Sequence, residues 1–122
     1  MNVLSMHALI GAYRPEGAEW TDELRQVLTG NIRFAVDFIR AHFPGVEVSE
    51  PQATYMLLLD CGQWLAEHGA TIDELLRKGV EVGVLWQDGR QFNRPDAIRM
   101  NLALPRVRVE EAFRRLAEFV FI

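Results

Sequence analysis

The chain has 122 residues, 49% hydrophobic and 25% charged, with a net charge of −4, which suits one domain burying roughly two thirds of its unfolded surface in a single core. The mild acidity argues against nucleic acid or an anionic membrane as a partner, and no apolar run approaches the roughly 20 residues of a membrane span. A single cysteine, Cys61, excludes an intrachain disulfide and is compatible with a reducing, cytoplasmic setting.

Leu4 to Tyr13 is apolar and reads as a short helix, with Arg14-Pro15-Glu16-Gly17 as a break. The sequence opens inside what reads as a structural element, without a leader, which suggests a fragment. From Trp20 to Phe43 the apolar positions 20, 24, 27, 28, 32, 35, 38, 39 and 43 form one stripe of a long amphipathic helix. Thr21, Asp22 and Glu23 provide a candidate cap and acids near its positive end, and Pro44-Gly45 stops it. Gly30 in its interior costs about 1 kcal/mol relative to alanine, and marks either close packing or nothing at all. Val46 to Val48 reads as a short edge strand. Thr54 to Cys61, nearly continuously apolar, reads as a strand covered on both faces.

Thr71 and Glu74 have the spacing of a capping box, so a short helix is expected there, stopped by Arg77, Lys78 and Gly79. Val80, Val82, Val84 and Trp86 alternate as a strand running into an Asp88-Gly89 turn. In Ile98 to Arg106, Ile98, Met100, Leu102 and Leu104 alternate with Arg99, Asn101 and Ala103, predicting a strand that Pro105 ends. Val109 to Val120 reads as a closing helix. Together these elements predict an α+β, two-layer sandwich in which helices, one of them long and near the N-terminus, cover a small, largely antiparallel or mixed sheet of three to four strands.

Few residues carry recognisable chemistry. His7, His42, His68 and Cys61 lack the spacing of a metal site, and no metal ligands are expected. A Cys61 and His68 nucleophile pair lacks an orienting third residue, so Cys61 reads better as a small buried hydrophobe. Asp60 suits a loop cap, Gly79 to Gly83 lacks the pattern of a phosphate loop, and Trp20, Trp64 and Trp86 read as core or rim packing. Twelve of the thirteen basic residues are arginine, leaving Lys78 as the only lysine. Arg99 stands apart: from a strand it presents a planar fork suited to a carboxylate, with Asn101 on the same side. A structural ion pair to one of the seventeen acids is the competing explanation.

Ala12-Tyr13 followed by Glu19-Trp20 and Leu24, Asn31, Pro51 with Thr54-Tyr55 and Asp60, Gly89 with Phe92, and Arg99-Met100-Asn101 with Pro105-Arg106 occur in one order along nearly the whole chain. This combination resembles the C-terminal small domain of class I/II pyridoxal-phosphate enzymes of the aspartate-aminotransferase fold, in the branch containing cystathionine β-lyases of the MalY/PatB type. The sequence departs from that pattern at Asn93 to Asp96, where more glycine is usual, and at Cys61-Gly62, where an arginine commonly follows the acid. The resemblance implies that Arg99 binds the α-carboxylate of an amino-acid substrate and that Asn101 supports the strand or the arginine. It also implies pyridoxal phosphate in an intact parent enzyme, with the cofactor lysine in a large domain missing from this sequence. Residues 1–17 are then a junction segment and 18–122 the small domain. On this reading the chain alone has no cofactor site and no catalysis, and it self-associates. The other expectation from the residues is an autonomous α+β ligand-binding or oligomerisation module.

Overall fold

A computed structural model describes residues 2–122. Among these residues there are five helices and one four-stranded antiparallel sheet, whose strands, numbered along the chain, lie in the order 1-2-4-3, the α+β two-layer arrangement expected from the sequence. The helices are α1 (Val3–Ala12), α2 (Pro15–His42), α3 (Gly62–His68), α4 (Ile72–Glu81) and α5 (Arg106–Phe119). The strands are β1 (Glu47–Val48), β2 (Met56–Asp60), β3 (Gln87–Asp88) and β4 (Ala97–Asn101).

The break before α2 is narrower than expected. Pro15 occupies the first turn of the helix, where its missing N–H costs nothing and its fixed φ favours helix. Thr21 is therefore interior rather than a cap, and its hydroxyl donates to the Gly17 carbonyl at 2.8 Å. Burial along α2 is confined to its C-terminal half, at Asn31, Ala35, Val36 and Ile39. Trp20, read as core or rim packing, is instead 63% exposed, on the half of α2 that buries no residue. The buried Asn31 amide donates to the Leu102 and Leu104 carbonyls, both at 2.9 Å. Those two carbonyls lie just past β4, where the ladder no longer serves them.

β2 and β4 form the centre of the sheet. Their register places Leu57 opposite Met100 and Leu59 opposite Ile98, and all four are buried against the helices. The opposite face carries Met56, Leu58, Asp60, Arg99 and Asn101, none of them fully buried, so β2 is covered on one face only, contrary to the expectation of two.

The segment 80–86 is also not a strand. Helix α4 continues through Gly79 to Glu81, and Gly83 turns the chain at φ +78°. Gly79 is a packing site rather than a stop: the Trp86 indole lies where a Cβ would be, and that indole donates to the Leu76 carbonyl at 3.2 Å. Strand pairing resumes only at Gln87. The capping box at Thr71 and Glu74 is present as predicted. Helix α3, between Cys61 and Gly69, was not expected; it buries Trp64 and Leu65 and ends in left-handed Gly69 at φ +57°. β4 stops at Asn101, and α5 begins at Arg106 with Pro105 preceding it. The core joins Phe43, Phe113 and Phe121 with Trp64, Leu57, Leu59, Ile98 and Leu116.

Candidate functional site

The sheet face not covered by helices holds Arg99 at its middle. Arg99 faces Leu58 on β2 and Gln87 on β3, and it is half-buried. Its Nε donates to Gln87 Oε1 at 2.7 Å, and its guanidinium carbon lies 3.8 Å from the centroid of the Phe92 ring, within cation–π range. Among the described residues, no carboxylate lies within 4.0 Å of Arg99 and its two Nη groups have no hydrogen-bond partner.

Phe92 is placed by a single 3-10 turn, Gly89–Phe92. Asp88 starts that turn, its Oδ1 accepting from the Arg90 N–H at 2.9 Å. The hydrogen bonds from Arg90 hold the Asp88 carboxyl below its ordinary range. Gly89 is required because its α-carbon packs against the Ala97 and Arg94 carbonyls, leaving no room for a side chain. Left-handed Asn93, at φ 56°, closes the turn.

Asn101 lies on the same face two residues along the strand. Its Oδ1 accepts from the Ala103 N–H at 2.8 Å, closing the turn out of β4, and no hydrogen bond joins it to Arg99. Asp60, at the other end of β2, accepts from the Gly62 N–H at 3.1 Å, in the turn from β2 into α3, and pairs with Arg94 Nη2 at 2.6 Å. The second guanidinium near this face is thereby matched by an acid, whereas Arg99 is not.

The remaining candidates are not brought together. Burial, then the charges of Asp60 and Asp96, push the Cys61 thiol up to about 12, while His68 is held by the Trp64 and Ile122 carbonyls at 2.8 and 3.0 Å. Lys78 lies 5.4 Å from the centroid of the Trp64 ring, on the helix-covered side of the sheet. Among the described residues no three acidic, histidine or cysteine side chains are grouped to hold a metal. A groove of about 430 Å³ between Gly83–Leu85 and α5 is mainly apolar and does not include Arg99. Gln87 was missed from the sequence, where it stood only as a polar residue before a turn.

No family model matches the chain. Over 114 residues it is 31% identical to the protein MalY of Escherichia coli, covering 90% of this chain and 28% of MalY. The C-S lyase of Staphylococcus hominis, solved with pyridoxal phosphate (PLP) bound, shares its fold with a TM-score of 0.85 at 28% identity, over 95% of this chain and 30% of that one. A PLP-bound putative aminotransferase from Clostridium difficile gives 0.83 at 30% identity, with the same coverage of 95% and 30%. The chain spans less than a third of the length of these relatives. In sequence and in fold the chain matches the C-terminal small domain of PLP-dependent, cystathionine β-lyase-like enzymes of the aminotransferase fold.

Proposed function

We propose that this chain is the carboxylate-binding portion of a PLP-dependent enzyme that cleaves a carbon–sulfur bond in, or transaminates, an amino acid, and that Arg99 takes the substrate's α-carboxylate. The observation carrying this reading is that Arg99 is held on the open sheet face by neutral partners, with neither Nη group bonded to any of the described residues. A bidentate, charge-assisted pair is what a guanidinium so placed offers. Relatives of both reaction types support the choice of chemistry.

The residues present do not fit the cofactor itself. The only lysine, Lys78, lies over Trp64 on the far side of the sheet from Arg99. In this reading the cofactor and its anchoring lysine belong to a large domain outside these 122 residues, joined through residues 1–17. The chain alone is inactive, resides in a reducing cytoplasm and associates with itself through apolar surface that the large domain would cover.

The test is made in the intact enzyme carrying this segment. Arg99→Ala is expected to cost about 2–5 kcal/mol of transition-state binding, roughly 30- to 5,000-fold in kcat/KM, for the amino acid. The corresponding amino-acid amide, which lacks the carboxylate, should lose little. An equal loss for both compounds, or none for either, would refute the assignment. For the chain alone, added PLP should give no internal-aldimine absorbance; a band abolished by Lys78→Ala would contradict its inactivity.

A further inference from the structure

A guanidinium can meet a carboxylate along two edges: the side edge, made of Nε and one Nη, or the end edge, made of both Nη groups. In Arg99 the side edge is occupied, because the single Nε hydrogen is donated to Gln87 Oε1 at 2.7 Å. One face of the guanidinium plane is occupied too, by the Phe92 ring at 3.8 Å from the central carbon. We propose that Gln87 and Phe92 are positioning residues that lock Arg99 so that it meets a carboxylate through its end edge; this rests on Arg99 being the carboxylate clamp.

The chemistry of the two partners supports the assignment. Both hold the arginine without neutralising it, since an amide oxygen is an uncharged acceptor and an aromatic face uses no N–H donor. Arg90, Arg94, Arg106, Arg114 and Arg115 are each held by a carboxylate instead. A carboxylate at position 87 would supply an equally good acceptor for Nε but would satisfy the charge reserved for the ligand. Two anchors on separate elements, one on β3 and one on the 3-10 turn, also remove most of the rotamer freedom that an arginine otherwise loses on binding.

Nitrogen-15 spectra of the arginine Nε–H groups in the full chain test this, with Arg99→Lys identifying the resonance and acetate, compared with chloride at equal ionic strength, as the probe. The Arg99 Nε–H should exchange with solvent several-fold more slowly than that of Arg108, which is exposed and makes no ion pair among the described residues. Gln87→Leu should raise it to the Arg108 rate and raise the acetate concentration at half-saturation several-fold. Gln87→Glu should keep the slow exchange yet also weaken acetate binding. Phe92→Leu should abolish the ring-current shift of the Arg99 side chain and weaken acetate several-fold. Backbone spectra unchanged away from the substitution separate these effects from misfolding. Fast exchange in the parent chain, or slow exchange surviving Gln87→Leu, overturns the positioning role and leaves the clamp standing. Slow exchange with no acetate-specific shift at Arg99 overturns the clamp, and this proposal with it.

Discussion

Cys61 shows how little a residue's type says about its chemistry. A thiol wholly enclosed, with Asp60 and Asp96 nearby, is held as the neutral acid with its pKa pushed up to about 12, so at neutral pH almost no thiolate is present to react. Iodoacetamide should label Cys61 at least a hundredfold more slowly in the folded chain than in denaturant, as mass spectrometry of the intact chain would show; equal rates would contradict its burial. Glu74 responds to pH in the opposite direction. The backbone and hydroxyl of Thr71 donate to its carboxylate at 2.8 and 2.9 Å and hold its pKa below the ordinary value. A depressed folded pKa gives stability that is present above the unfolded pKa and lost as pH falls through the folded one. The melting-temperature advantage of the native chain over Glu74→Gln should therefore be full at neutral pH and vanish in acid below the ordinary carboxylate range. A difference independent of pH would mean that the charge at the cap contributes nothing.

At the scale of elements, two glycines inside helices make opposite predictions. Nothing lies within 4 Å of the position a Cβ would take at Gly30, so close packing does not explain it, and Gly30→Ala should stabilise the chain by about 1 kcal/mol through helix propensity. At Gly79 the Trp86 ring occupies that position. Gly79→Ala should cost about 1–3 kcal/mol as the indole is forced aside, despite the same gain in propensity. Denaturant melts of the two variants decide both points, and shifts of the same sign would refute one of them. This contrast explains much of what was and was not legible in the sequence. Long periodic segments such as α2, and chemical signatures such as the capping box of α4, were readable because local residues alone determine them. The alternation from Val80 to Trp86 was misleading, since the packing of Trp86 on Gly79 is a tertiary contact that overrides a local pattern. Helix α3 was invisible because it is only seven residues long and its N-cap position, Cys61, offers no side-chain cap. Arg99 was legible as an unusual residue, but Gln87 and Phe92 as its partners were not: which side chain faces it depends on the register of β3, set by the turn after Asp88.

The molecule as a whole is unevenly covered. α1 buries none of its residues, and Leu4, Leu9, Tyr13, Trp20 and Val27 are all about half exposed or more; exposed apolar side chains concentrated on two neighbouring helices favour association. Sedimentation should show concentration-dependent association of the chain. The pair Leu9→Glu and Val27→Glu should shift it toward monomer with little change in melting temperature, because neither side chain is buried; a monomer at high concentration in the parent chain would refute this. The form such assemblies take follows from the sheet. Both outer strands are only two residues long, and Pro51, which has no N–H to offer, follows β1 closely. There is accordingly almost no free backbone ladder on which another chain could be templated. Aggregates of this protein should be discrete particles that mild detergent disperses, and they should not seed fibrils or bind amyloid dyes.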